Sequence, residues 1–102
     1  MTVLEYIHHP ERDSLVLLDI RGSEERLKGR YVAGSLHSPM EEVLGGTELL
    51  LDPAVPIIVL CERGGRAEIV TRYLRAQGYE AEKLEGGFVK LAPYVKHTEL
   101  VE

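Results

Sequence analysis

The stretch Pro56-Ile57-Ile58-Val59-Leu60-Cys61-Glu62-Arg63-Gly64-Gly65-Arg66, residues 56–66, is the strongest indication of how this chain folds. Its first part is an apolar, mostly β-branched run introduced by proline, which is typical of a central strand buried on both faces. Residues 61–66 then form a glycine-containing loop, and residues 67–77 have the spacing of a helix. The predicted apolar face of that helix consists of Ile69, Val70, Tyr73 and Leu74. A strand that leads through a loop into a helix predicts a unit of an α/β domain.

Further segments on both sides extend this alternation. Short strands are predicted at residues 3–7, 16–20, 36–38 and 82–85. Helices are predicted at residues 40–44, 48–51 and 88–95, and in a segment that Ser23 caps and whose first turn holds Glu24 and Glu25. The pattern predicts one α/β domain over residues 1–102 with a mainly parallel sheet. Because sites in such sheets lie beyond the carboxyl ends of the strands, we expect the chemistry in the loop after Leu60.

The composition limits the classes of function. The chain has 102 residues, of which 44% are hydrophobic and 28% charged, a balance typical of one globular domain. Its net charge of −5 and its lack of a basic stripe argue against nucleic-acid binding. No apolar run approaches the ~20 residues needed to span a membrane, and the N-terminal residues lack the apolar region of a signal peptide. We therefore expect a cytoplasmic protein with neither nucleic acid nor membrane as a partner.

Cysteine and histidine usage argues against a disulfide or a metal site. Cys61 is the single cysteine, which rules out an internal disulfide and multi-cysteine zinc or iron–sulfur sites. The histidines are scattered along the chain, at His8, His9, His37 and His97. None has the i, i+4 helical pairing or the neighbouring cysteine of a typical metal site. We expect no metal in this protein.

Cys61 lies where several sources of positive potential are expected to converge. Gly64 and Gly65 allow successive backbone N–H groups to point at one position as an anion nest. The following helix adds the partial positive charge of its N-terminus, and Arg63 and Arg66 add two permanent charges. An anionic sulfur would be stabilised here, which predicts a reactive thiolate. The alternative is a small apolar side chain in the core, which fits a strand end but not these arginine and glycine neighbours.

Blocks along nearly the whole chain resemble the rhodanese (thiosulfate sulfurtransferase) family in its single-domain form. The blocks are residues 17–21 with Glu25, residues 29–39, residues 61–66, and residues 78–79 with residues 84–87. They resemble, in turn, the family's D-V-R … E block, its G-H-I-P-G-A-x-N-x-P block, its active-site loop and its closing G-Y … L-x-G-G block. Any one block would be weak, but the four occur in order and at suitable spacing.

The resemblance implies a three-layer α/β/α rhodanese-like domain and neither a metal nor an organic cofactor. It implies a sulfurtransferase of the thiosulfate:cyanide type, with Cys61 as the catalytic residue. Cys61 would take sulfur from a small-molecule donor, thiosulfate or a persulfide, and pass it from a Cys61 persulfide to cyanide, a thiol or a protein thiol. The loop that would cradle this persulfide consists of Glu62, Arg63, Gly64, Gly65 and Arg66. Asp19 and Arg21 would support the loop.

The roles of the two loop arginines differ in this interpretation. Arg63 is expected to contact donor anions. Arg66 either binds substrate or fixes the loop, and the sequence does not separate these two roles.

Some positions depart from the family pattern, and two other functions stay open. Arg30 stands where His is usual, Ala33 replaces Pro, Ala67 replaces a common Ser, and Glu62 places a negative charge beside the nucleophile. One alternative is a non-catalytic rhodanese-like binding or regulatory module, although such modules typically lack the cysteine. The other is a small cysteine phosphatase or arsenate reductase, whose loop has five residues between cysteine and arginine rather than the four at 62–65.

Overall fold

Helices and strands alternate along the chain, which a computed structural model describes at residues 1–46, 49–95 and 100–101. The strands are β1 (Val16–Asp19), β2 (Tyr31–Val32), β3 (Leu36–His37), β4 (Ile57–Leu60), β5 (Ala81–Lys83) and β6 (Leu100–Val101). The helices are α1 (Val3–Ile7), α2 (Ser23–Lys28), α3 (Met40–Leu44), α4 (Gly65–Ala76) and α5 (Gly87–Leu91). Two short 3-10 turns cover Arg12–Ser14 and Ala92–Tyr94. No helix within these ranges has the length and apolar character needed to cross a bilayer.

The central sheet has four parallel strands in the order β3-β1-β4-β5. Ile57 is paired with Val16 of β1 on one side and with Ala81 of β5 on the other. Because the strands are parallel, their carboxyl ends all lie at one edge of the sheet. The strands β2 and β6 form a separate antiparallel pair. The expectation of a mainly parallel sheet is therefore confirmed.

The side chains of β4 alternate between two hydrophobic layers. Ile57 and Val59 belong to a cluster with residues of α3 and α4, whereas Ile58 and Leu60 belong to a cluster with residues of α1 and α5. All four β4 side chains are at most 1% exposed. A strand buried on both faces needs helices on both sides of the sheet, because each face must be covered by apolar side chains. The three-layer α/β/α fold predicted from the sequence is confirmed.

The prediction of a strand at residues 3–7 is wrong, since this segment forms α1. The Thr2 hydroxyl accepts a hydrogen bond from the Glu5 N–H at 3.1 Å, and the Glu5 carboxylate accepts one from the Thr2 N–H at 3.0 Å. This reciprocal capping box stabilises a helix start. Val3 and Tyr6 are buried three residues apart, which is a helical spacing. The Thr-x-x-Glu pattern was thus a helix signal in the sequence.

Apart from the helix predicted at residues 48–51, the remaining predicted elements agree in type, with differences at their ends. The strand predicted at 82–85 is shifted, since β5 covers Ala81–Lys83, and the helix predicted at 88–95 is α5 followed by the second 3-10 turn. Ser23 begins α2 as its first residue, and Gly22 is the residue that precedes the helix. No helix forms at residues 49–51, and residue 48 lies outside the described ranges.

The apolar face of α4 also differs from the prediction at one position. Ile69 is 53% exposed, so its assignment to the core is wrong. The residues of α4 that are buried are Ala67, Val70, Thr71 and Leu74. Their spacing of three and four residues defines the stripe that faces the sheet, and Ile69 lies off that stripe.

Candidate active site

The carboxyl edge of the parallel sheet brings together residues from four separate parts of the chain. Asp19 is the last residue of β1, His37 is the last residue of β3, and Cys61 follows β4 directly. The turn at residues 84–87 follows β5. This edge is where ligand sites form in open parallel sheets, because loops diverge there and leave a crevice.

Cys61 is held at the base of its loop by a backbone amide. The Gly64 N–H donates to the Cys61 Sγ at 2.9 Å, and Cys61 is only 1% exposed. Gly64 has a φ of +106°, a left-handed conformation that glycine adopts without strain. The helix α4 begins at the next residue, Gly65, so its positive N-terminal end lies beside the sulfur. The loop therefore has a donor and a helix terminus directed at Cys61.

The turn after β5 packs directly on the Cys61 loop. The Phe88 N–H donates to the Cys61 carbonyl at 2.8 Å, and the Val89 N–H donates to the Glu62 carbonyl at 3.1 Å. Gly87 has a φ of +65°, and a Cβ at this position would lie 2.5 Å from the Cys61 carbonyl oxygen. Only glycine fits this contact without displacing the backbone. The start of α5 thus packs against the backbone of the Cys61 loop and holds it in place.

Arg66 forms a two-pronged ion pair with Glu25 of α2. Its Nη1 and Nη2 lie 2.6 Å and 2.8 Å from the two carboxylate oxygens of Glu25. This bond, opposed in part by burial, lowers the pKa of Glu25 from an ordinary 4.5 to about 2, and it raises the pKa of Arg66. Glu25 also accepts a hydrogen bond from the Gly22 N–H at 3.1 Å. Of the two roles predicted for Arg66, the geometry favours fixing the loop.

Asp19 and Arg21 form a buried ion pair at the base of the site. Arg21 is 1% exposed and Asp19 0%, and the Arg21 Nε and Nη2 donate to the two Asp19 oxygens at 3.1 Å and 2.9 Å. The Arg21 Nη2 also donates to the Arg30 carbonyl at 2.9 Å. The guanidinium lies over the Phe88 ring, 4.2 Å from its centroid. Arg21 therefore joins β1, the segment before β2 and the start of α5.

Glu62 extends this network to the surface. Its carboxylate oxygen lies 3.5 Å from the Arg21 Nη1, and its side chain is 36% exposed. The sequence indicated a negative charge beside Cys61 and left its counterion unidentified. The structure instead gives this charge a buried counterion, while leaving part of the carboxylate open to solvent.

Arg63 and Gly65 are the exposed members of the loop. Within the described ranges, the Arg63 side chain has neither an ion pair nor a hydrogen bond. Its charge is therefore available to an incoming molecule, in contrast to that of Arg66.

Sequence reasoning missed two residues of the network, Arg26 and His37. The Arg26 Nη1 donates to Asp19 at 3.2 Å, and its guanidinium lies 4.1 Å from the centroid of the Tyr31 ring. The His37 Nε2 donates to the Arg21 carbonyl at 2.8 Å. His37 could have been found from its position within the short strand predicted at residues 36–38. Arg26 had no comparable signal, because it lies on a helix far along the chain from the loop.

Two further features lie outside this edge of the sheet. A cavity of ≈ 670 Å³ at the opposite end is lined by residues such as Pro56, Tyr79 and Glu80 and does not include Cys61. In the described part of the chain, no three His, Cys, Asp or Glu side chains are grouped so as to hold a metal ion. His97 lies outside the described residues.

The arrangement agrees with the comparison with known protein families. A model of the rhodanese-like domain matches residues 2–92 of the chain. The chain belongs to the rhodanese-like domain family. No protein among the curated sequences matches it.

Several solved structures share the fold. A rhodanese-related protein from Thermoplasma volcanium superposes with a TM-score of 0.83 at 20% identity, over 99% of this chain and 95% of the other. A rhodanese-like domain protein from Staphylococcus aureus gives a TM-score of 0.79 at 25% identity, over 89% and 88%. A protein from Rhodopseudomonas palustris, described as a possible tyrosine phosphatase, gives 0.76 at 18% identity, over 91% and 78%. Similarity at these levels concerns the fold and leaves the reaction to be argued from the site.

Proposed function

We propose that this rhodanese-like domain is a sulfurtransferase that carries sulfane sulfur on Cys61. The observation that carries the proposal is the hydrogen bond of 2.9 Å from the Gly64 N–H to the Cys61 Sγ, made at the N-terminus of α4. A backbone amide and a helix terminus stabilise an anionic sulfur more than a neutral thiol. The same groups stabilise the terminal anion of a persulfide, which is the intermediate that sulfur transfer requires.

The reaction has two half-steps. In the first, the Cys61 thiolate attacks the outer sulfur of the donor. A new S–S bond forms, the old S–S bond breaks, and its electron pair leaves with the inner group, which is sulfite in the case of thiosulfate. In the second, an acceptor such as cyanide or a thiol attacks the outer sulfur of the Cys61 persulfide. The persulfide bond breaks, and its electron pair returns to Cys61 as the thiolate.

Three residues of the loop, Arg63, Gly64 and Arg66, have a role in this scheme. Gly64 supplies the amide on Sγ, and Arg66 holds the start of α4 against α2 through Glu25. Arg63 is exposed and offers its charge to the donor. The buried pair of Asp19 and Arg21 supports the loop from below.

The size of the loop argues against the alternative of phosphate chemistry. Residues 62–65 give four residues between the cysteine and the arginine. A phosphoryl group needs hydrogen-bond donors around its three equatorial oxygens. Its leaving oxygen must also be protonated by an acid. The non-catalytic binding module is disfavoured by the presence of Cys61 with its amide donor.

The experiment is intact-mass analysis after incubation with thiosulfate and, separately, with 2-hydroxyethyl persulfide. We expect the protein to gain the mass of one sulfur atom and to lose it on addition of cyanide. Cys61→Ser should show no gain with either donor. Turnover of p-nitrophenyl phosphate on the same samples should equal the Cys61→Ser background. A native protein that forms no adduct with either donor would refute the sulfur-carrier function, and Cys61-dependent phosphatase activity would replace it.

A further inference from the structure

The charges around the Cys61 loop are almost completely paired with one another. The cations in these ion pairs are Arg21, Arg26 and Arg66, and the carboxylates are Asp19, Glu25 and Glu62. Three positive charges thus face three negative charges, and the paired groups carry no net charge. Arg66 therefore does not offer the free positive charge that its place in the loop predicts.

Arg63 supplies the single positive charge in the loop that has no partner among the described residues. Glu62, its neighbour, stays 36% exposed although Arg21 lies 3.5 Å away. An incoming donor therefore meets one cation and one partly exposed carboxylate, side by side, next to Cys61. Together with the paired groups, Arg63 brings the net charge around the loop to one positive charge.

Sulfur donors differ in the charge that they bring to this entrance. Thiosulfate is a dianion, so the thiolate and thiosulfate together carry three negative charges in the step Cys–S⁻ + S–SO₃²⁻ → Cys–S–S⁻ + SO₃²⁻. An organic persulfide whose organic group is uncharged arrives as the monoanion R–S–S⁻ and takes the proton of the Cys61 thiol, so that the thiolate attacks in the step Cys–S⁻ + R–S–SH → Cys–S–S⁻ + R–SH. The proton on the outer sulfur moves to the departing sulfur, and one negative charge is present throughout. The one positive charge of Arg63, which has no partner among the described residues, balances the single negative charge of the second reaction but not the three negative charges of the first.

We propose that Glu62 is a specificity-determining residue that directs this site away from dianionic donors such as thiosulfate and toward monoanionic organic persulfides. The inference rests on the proposed function, since it concerns the donor that loads Cys61. Glu62 acts through its charge. It partly neutralises the positive charge of Arg21, and it repels a second negative charge on the donor.

The test measures the second-order rate constant of Cys61 persulfide formation by mass spectrometry, with thiosulfate and with 2-hydroxyethyl persulfide. We expect Glu62→Gln to raise the constant about tenfold for thiosulfate and about threefold for the persulfide, because the Coulomb energy scales with the donor's charge. The difference between donors should shrink in high salt, since the carboxylate is partly exposed. Glu80→Gln, which removes the same charge at the other end of the sheet, should leave the ratio of the two constants unchanged.

A second variant guards against a folding defect in the first. Arg63→Ala removes an exposed side chain without a described partner, so the fold should be kept, and it should slow thiosulfate more than the persulfide. Equal changes with both donors in Glu62→Gln and in Arg63→Ala would overturn the inference while leaving the Cys61 sulfur carrier standing. Failure of both donors to load the native protein would instead mean that the proposed function itself is wrong.

Discussion

Two arginine–carboxylate pairs support the Cys61 loop, and they differ chiefly in burial. Both are two-pronged: Arg21 binds both oxygens of Asp19, and Arg66 binds both oxygens of Glu25. The side chains of the first pair are 1% and 0% exposed, whereas those of the second are 38% and 37% exposed. The same chemistry therefore occurs once inside the protein and once at its surface.

Because of this difference in burial, we expect the two pairs to have different roles. When one partner of a buried pair is removed, the remaining charge is left unsolvated, so the inner pair should contribute strongly to the free energy of unfolding. A surface pair contributes little to the free energy of unfolding, because water solvates both partners when it breaks. The outer pair can nevertheless orient α4 relative to α2, because two parallel hydrogen bonds fix the direction of the guanidinium. We expect the inner pair to stabilise the carboxyl edge of the sheet and the outer pair to position the Cys61 loop.

The largest expected effect comes from breaking the inner pair. Arg21→Met should lower the free energy of unfolding by about 3 kcal/mol, at the lower end for a buried pair because Arg26 still binds Asp19. Urea denaturation measures this value. Arg66→Met is the matched control and should change it by about 0–1 kcal/mol. Similar losses in the two variants would show that burial does not separate the pairs.

Breaking the outer pair should affect activity more than stability. Arg66→Met should slow Cys61 persulfide formation about tenfold, because a misplaced loop loses the alignment of donor and sulfur. Arg66→Lys should restore only a small part of the rate, since an ammonium group cannot reproduce the two-pronged contact with Glu25. The measurement is the rate of persulfide formation, made on protein that circular dichroism shows to be folded. Full activity in Arg66→Lys would show that only the charge matters.

The smallest effect concerns pH. The pKa of Glu25 is lowered in the folded protein to about 2 from an ordinary 4.5. A lowered folded-state pKa stabilises the protein above the unfolded-state value, and this contribution is lost as the pH falls from about 4.5 to about 2. The gap in urea midpoint between the native protein and Glu25→Gln should therefore be largest above pH 4.5 and should close toward pH 2. The gap should be small throughout, because the carboxylate is more than a third exposed. A gap that widens as the pH falls would contradict the assignment.

Local sequence patterns determined the α/β architecture and the place of the loop. The run at Ile57–Leu60 is apolar at every position, and such a run is stable only when both faces of a strand are covered. Gly64 and the helical spacing after it define where α4 begins. The helix at residues 3–7, where a strand was predicted, is also determined locally, since Thr2 and Glu5 form its capping box.

The tertiary structure alone decided how the charges are shared. Arg66 and Glu25 are far apart in sequence, with a separation of 41 residues, and their pairing depends on how α2 and α4 are placed at the sheet edge. The contact of Glu62 with Arg21 likewise requires β1 and β4 to be neighbours in register. Secondary structure follows from periods of two and three to four residues, which a sequence displays directly. Ion pairing depends on distances between separate elements, which appear only after the chain has folded, and among the described residues these distances leave Arg63 as the loop cation without a partner.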